Sequence, residues 1–304
     1  FWIALGASVI TLGIGFFTMG NVTETTPISF DILSLLLCAA GFASLVVGLG
    51  NWSSYKFVSV PVLGLVVVGL GFLLLFVKRQ QQLSVPFLNL KAFANLEFRL
   101  SVLSSMLIYC SMMAVSTLLP LYNQSLRGVS ATTSGLIMMP GSLVTALISP
   151  VAGKIYDRIG IRKLYLIGGF LILTGHISFC LLTTDTPVAI ISVLFLVRQL
   201  GIGMLMMTTV TWGMSTLQGE MMSDGTAIIS SLRTVSGAIG SAVFVSIMSA
   251  VAGRSDVAGR SDVAAMMCGI RAAFAGIALL SAVLFLLAVL CIGRKKAVTA
   301  ERSS

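Results

Sequence analysis

The sequence predicts an all-α, polytopic membrane helix bundle of about nine transmembrane helices, and three observations carry that prediction. Of the 304 residues, 57% are hydrophobic and only 10% are charged, where a soluble domain carries about 25% charged residues. Apolar stretches of roughly 20 residues recur along the chain, the length a helix needs to cross hydrocarbon with every backbone amide paired. The Lys and Arg residues gather in the short segments between these stretches, mostly on alternate ones.

Nine stretches meet the length requirement. Phe1–Met19 opens the chain without a charge. Ile32–Gly50 starts just after Asp31, and Phe57–Val77 stops at the pair Lys78–Arg79. A polar linker then leads to Ser101–Leu121. Thr133–Ala152 and Leu164–Leu182 flank the charged run Gly153-Lys-Ile-Tyr-Asp-Arg-Ile-Gly-Ile-Arg-Lys163, which reads as a compact loop. Val188–Met207 follows Pro187. Thr226–Ala250 is longer than a span requires, so its far boundary is set only loosely by pattern. Gly269–Ile292 ends at Arg294-Lys-Lys296. The connections leave no room for a separate soluble domain.

Orientation follows from the basic residues. Lys78, Arg79, Lys91, Arg99, Lys154, Arg158, Arg162, Lys163, Arg294, Lys295, Lys296 and Arg302 fall on one set of connections, twelve in all; Lys56, Arg127, Arg254 and Arg260, four in all, fall on the other. Short loops rich in Lys and Arg stay in the cytoplasm, so the charged run and the C-terminus are expected inside a plasma membrane, of bacterial type. Nine spans then put Phe1 outside. That reading expects an odd number of upstream spans, a C-terminal fragment, and fourteen helices in a parent with five more. The missing N-terminal helices are accordingly an expected partner, beside the lipid bilayer. The net charge of +9 does not point to nucleic acid, because the basic residues form no single patch interleaved with aromatics. The hexapeptide Val-Ala-Gly-Arg-Ser-Asp occurs twice, at 251–256 and 257–262. It reads as a small duplication in a polar external loop, which loops tolerate cheaply.

The charged run has the form Gly-x-x-x-Asp-Arg-x-Gly-x-Arg-Lys, with Gly153, Asp157, Arg158, Gly160, Arg162 and Lys163 at the defining positions. It resembles the loop motif of the major facilitator superfamily. Leu119-Pro-Leu-Tyr-Asn-Gln124, Gly128, Ser134-Gly-Leu-Ile-Met-Met-Pro-Gly141 and Leu232-Arg-Thr-Val-Ser-Gly-Ala-Ile-Gly240 resemble stretches of one branch, the fourteen-spanner drug:proton antiporters of the EmrB/QacA type. Phe1-Trp-Ile resembles the entry to that branch's sixth helix. The resemblance implies four parts: residues 1–77, the last helix of an N-terminal bundle plus two extra central helices; 78–100, a cytoplasmic linker; 101–293, a C-terminal six-helix bundle; and 294–304, a cytoplasmic tail. It also implies proton-driven export of drugs or other amphipathic compounds by alternating access, with protons and such compounds as partners. Pro140 and Gly141 become candidate cavity residues through it. Tyr156 departs from the family pattern, which is small at that position. The family's antiporter signature lies in its fifth helix, before the first residue here.

Individual residues carry two readings each. Asp157 either caps the helix that follows, stabilised by the helix dipole, or reaches a neighbouring helix end in one access state and gates transport. The gating reading draws on Gly153 and Gly160 as sites of close helix approach. Arg198 lies near mid-membrane, where a charge is expensive and defaults to function; it either lines a cavity or partners backbone carbonyls. Arg233 either snorkels or serves transport. Arg271 reads as a snorkelling anchor. His176, the sole histidine, is a weak candidate proton site set against hydrogen-bonded packing. Met106, Met112, Met113, Met138, Met139, Met204, Met206 and Met207 suit a pliable drug pocket or a lipid-facing surface equally.

All ten carboxylates lie outside the depths of the spans: Glu24, Asp31, Glu97, Asp157, Asp185, Glu220, Asp224, Asp256, Asp262 and Glu301. The five cysteines are scattered singly, indicating neither disulfides nor a zinc site. No triad, metal cluster, paired-carboxylate site or cofactor motif is present, so the reading is a transporter and not an enzyme. The alternatives are a carrier of the same fold for a specific metabolite, siderophore or lipid, and a non-transport membrane assembly protein.

Overall fold

The computed structural model describes residues 2–18, 31–50, 60–83, 90–218, 221–257 and 261–292. Among them the only regular structure is helical: α1 Trp2–Thr18, α2 Ile32–Gly50, α3 Val60–Gln82, α4 Leu96–Leu121, α5 Ala131–Cys180, α6 Val188–Met214, α7 Met221–Val257 and α8 Asp262–Leu290. The described residues of each of the nine apolar stretches lie on a helix, apart from the last two residues of the sixth and of the ninth. Seven of these helices, α2 to α8, are long and apolar enough to cross a membrane, and one of the seven is double. The chain divides into a unit of residues 1–32, holding α1, and a unit of 33–304.

α5 corrects the sequence reading. Its 50 residues contain both the fifth and the sixth span, and the charged run between them is no irregular loop. The helix continues through Asp157 and resumes at once, leaving helical geometry only at Gly160, where φ is 76° and ψ is 167°. That backbone region is essentially closed to any residue with a Cβ. One glycine therefore turns the chain, and the charged residues ride on the two helix ends that meet there. The close-approach argument also fails here, because a Cβ built on Gly153 or Gly160 would meet nothing within 4 Å. Conformation, and not space, demands glycine at 160.

A second correction concerns the duplicated hexapeptide. Its first copy, 251–256, is not loop but the last turns of α7. The second copy lies partly outside the described residues and ends at Ser261 and Asp262, which open α8.

Capping explains several boundaries. Asn95 accepts a hydrogen bond from the Glu97 amide at 2.9 Å and starts α4 ahead of the predicted Ser101. Ser130 accepts from the Thr133 amide at 3.2 Å and starts α5. Pro120, which cannot donate to the helix ladder, is followed by a single π-helical turn, Tyr122–Leu126, closed by Gly128 at φ 62°.

α2 and α3 form an antiparallel pair. A Cβ on Gly69 would lie 2.9 Å from the Gly41 carbonyl oxygen, so the backbones touch, and the buried Gln80 amide donates to Ser34 Oγ at 2.7 Å. In the remaining bundle, α6 is held between both arms of α5. On the arm before Gly160, Ser192 donates to the Ile137 carbonyl at 2.9 Å. Thr145 shares its hydroxyl proton between its own helix and the Gln199 carbonyl at 3.1 Å. Ser149 does the same with the Gly203 carbonyl at 3.4 Å. On the other arm, Gly168 and Gly175 lie against Leu205 and Arg198. Two apolar clusters flank this contact, one around Tyr122, Phe179 and Phe274, the other around Tyr165, Ile202 and Trp212.

Candidate functional site

Arg198 is placed ten residues into α6, roughly 15 Å along its axis, and its side chain is fully buried. Lipid offers a guanidinium no partner, so the protein must supply them. Arg198 Nε donates to His176 Nε2 at 2.8 Å, Nη1 donates to Gln199 Oε1 at 2.8 Å, and Nη2 donates to the Ser111 carbonyl at 3.1 Å. The Phe195 ring lies 5.7 Å from the guanidinium carbon. These bonds assign the histidine tautomer. Because Nε2 accepts from Arg198, the ring proton sits on Nδ1, which donates to Ser281 Oγ at 2.6 Å; Ser281 in turn donates to the Ile277 carbonyl at 3.0 Å. One chain of bonds thus links α4, α5, α6 and α8. Gly175 permits it, since a Cβ there would come within 2.6 Å of Arg198 Cβ.

Gly141 belongs to the same neighbourhood. It is buried, and a Cβ on it would lie 2.5 Å from Phe195 Cδ1 and 3.0 Å from Gln199 Cγ, so it lets α5 close on the two residues flanking the guanidinium. Pro140, half-buried, precedes it.

Arg233 stands apart from this network. It lies twelve residues into α7, half-buried, with its guanidinium carbon 5.2 Å from the centroid of the Tyr109 ring. No hydrogen bond to any described residue satisfies it, and its Nε is buried without a partner. Ser105, Ile108, Tyr109 and Met206 line a recess beside it.

The motif residues are at one end of the bundle. Asp157, Arg158, Arg162 and Lys163 are exposed around the Gly160 corner, with Gly153 half-buried. Asp157 has no ion-pair partner among the described residues. His176 is sixteen residues beyond Gly160, about 24 Å of helix, so the motif and the Arg198 network are separate constellations. Tyr156 packs at the edge of the Tyr165 cluster.

At the opposite end three side chains hold the segment joining α5 to α6. Arg271 donates to the Leu182 carbonyl through Nε at 3.2 Å and Nη2 at 2.9 Å, Tyr122 donates to the Thr183 carbonyl at 2.5 Å, and Arg127 donates to the Thr184 carbonyl at 3.2 Å. Arg271 is thus a loop clamp, where sequence suggested only a snorkelling anchor.

Sequence reasoning weighed Arg198 and His176 singly and missed Gln199, Ser111 and Ser281. The available signal was depth: lone polar groups in the middle of α5, α6 and α8 each need an internal partner.

The sequence profile of the Major Facilitator Superfamily matches residues 28–241. An uncharacterized MFS-type transporter of Bacillus subtilis, YcnB, is 38% identical over 94% of this chain and 60% of its own length. The lincomycin resistance protein LmrB of Listeria monocytogenes is 36% identical over 82% of this chain and 53% of its own. The riboflavin transporter RibZ of Clostridioides difficile is 26% identical over 81% and 53%. The chain spans about half to three-fifths of the length of these curated relatives.

Proposed function

The chain belongs to the major facilitator superfamily, a family of membrane transporters and not of enzymes, and from that premise we propose that it forms part of a proton-driven exporter of drugs or other amphipathic compounds. We place it in the fourteen-spanner antiporter branch, in a bacterial plasma membrane, with the C-terminus cytoplasmic. Residues 101–293 would supply a six-helix bundle that rocks against a second bundle around a midplane site. The observation that carries the drug-export reading is the 36% identity to lincomycin resistance proteins over 82% of the chain. In this reading the exposed Asp157 carboxylate at the Gly160 corner contacts another helix end in one access state only. Arg198 holds four helices in register beside the path, and with no deep carboxylate in these spans and both ring nitrogens of His176 engaged, the proton-carrying residue is assigned to helices outside them.

A second reading, a carrier of one specific metabolite, is supported by the similarity to a riboflavin transporter. The two are separated by expressing the protein from its intact coding sequence in an efflux-deficient bacterium. Drug export predicts raised resistance to lincomycin, and to structurally unrelated dyes such as ethidium, that collapses when an uncoupler removes the proton gradient. Resistance to nothing, with uptake or release of one vitamin-like compound, selects the second reading.

A further inference from the structure

Two arginines sit deep in this bundle, and they differ in one respect. Arg198 has a partner for each of its three nitrogens. Arg233 has none among the described residues, and its Nε is shielded from solvent as well. A buried donor left unpaired destabilises the fold, more so when it carries charge, so such a group persists where something else completes it.

The surroundings of Arg233 are built to present it. A Cβ on Gly237, one turn further along α7, would lie 2.6 Å from Tyr109 Cδ1 and 2.8 Å from Met113 Cγ. With glycine there, the Tyr109 ring lies along α7 and turns its face toward the guanidinium. Ser236 pins the same contact by donating to the Met106 carbonyl at 2.8 Å. Tyr109 holds the cation through its ring face, leaving the N–H edges of Arg233 unspent. Its own hydroxyl also has no partner among the described residues. Met206 and the buried Ile108 close the recess, which is too narrow in this conformation to hold a water molecule, so a ligand enters it only as α4 and α7 part. No carboxylate lies deep in any of these spans, so the local field is set by cations.

We propose that Arg233 and Tyr109 form a recognition site for the acidic group, a carboxylate or a comparable oxyanion, of an amphipathic small molecule whose apolar body lies against the half-buried Met206. The proposal rests on the transport reading above and deepens it: the substrates include organic acids, not only lipophilic cations. A guanidinium binds a carboxylate through two parallel N–H donors, and the flat cation on Tyr109 presents them.

The test uses the purified protein made from the intact coding sequence, with radiolabelled 2-naphthoate and its uncharged isostere 2-naphthamide as probes. The wild type should bind the acid about tenfold more tightly than the amide, the scale of one charge-assisted hydrogen bond. Arg233→Gln should bring the ratio to about one. Arg233→Lys, which keeps the charge but loses the flat fork, should leave an intermediate ratio, which guards against a Gln variant that misfolds. A wild-type ratio near one, or a ratio unchanged in Arg233→Gln, overturns the proposal. So does Arg233-dependent binding of phosphatidylglycerol without discrimination between naphthoate and naphthamide, which would make the ligand a lipid phosphate. Proton-driven drug export with no Arg233-dependent preference sinks this inference alone. The preference in a protein that exports nothing sinks the exporter reading and leaves the site.

Discussion

His176 shows how a residue's role depends on what faces it. In isolation it invites a proton-relay reading, yet its Nε2 is occupied as an acceptor for Arg198 and its Nδ1 proton is committed to Ser281. A second ring proton would point directly at the guanidinium. His176→Leu removes the acceptor while keeping the volume, leaving a buried cationic donor unpaired. We expect a loss of about 1–3 kcal/mol, read as a lowered thermal unfolding temperature of the purified protein. His176→Asn, whose carbonyl oxygen can still accept, should recover part of that loss; equal damage by both would argue that ring packing, not the bond to Arg198, is what matters. The residue types were legible in the sequence, but their pairing was not. Arg198 and His176 are 22 residues apart on helices whose facing depends on where Gly175 lets them touch.

At the scale of elements, the helices were legible because twenty apolar residues have one solution in lipid. Their joints were not. Hydropathy cannot distinguish a charged loop from two helix ends meeting at one glycine, and it stops reporting where α7 runs on through the polar hexapeptide. The corner makes a sharp prediction. Gly160→Ala introduces a side chain that fits the space but not the backbone, so it should destabilise the protein by roughly 1–3 kcal/mol. Gly153→Ala, at a helical position with equally open surroundings, should be tolerated. Expression and unfolding temperature of the pair decide it, and equal tolerance would mean the corner is not held as described. Asp157→Asn probes the neighbouring carboxylate differently. If the group gates, export falls while protein remains in the membrane. If it only caps, the loss is at most about 1 kcal/mol of stability and export is near normal.

For the whole molecule, fold class and family were readable from composition and the Gly153–Lys163 run together. Sidedness rests on the twelve-to-four distribution of basic residues. In intact cells expressing the full coding sequence, cysteines introduced at Ser54 and Ser255 should react with a membrane-impermeant reagent, and those at Lys91 and Arg162 should not. The reverse pattern would invert the topology and remove Asp157 from the cytoplasmic face. The substrate was not legible, because specificity depends on which side chains are left unpaired, as at Arg233, and that appears only once the helices are packed.

The three hydroxyl bonds from Thr145, Ser149 and Ser192 have a mechanical meaning. They are strung along the length of the contact between the first arm of α5 and α6, each reaching a carbonyl 54 or 55 positions away in the chain. Each bond is weak, on the order of 0.6 kcal/mol in a membrane bundle, but all three share one register. Sliding or rolling either helix by a single residue would break them together, so the pair behaves as a strut that resists shear and carries load as one piece. Movement of this bundle then leaves the strut whole and falls on its other seams, among them the one between α4 and α7, where Arg233 has no partner among the described residues.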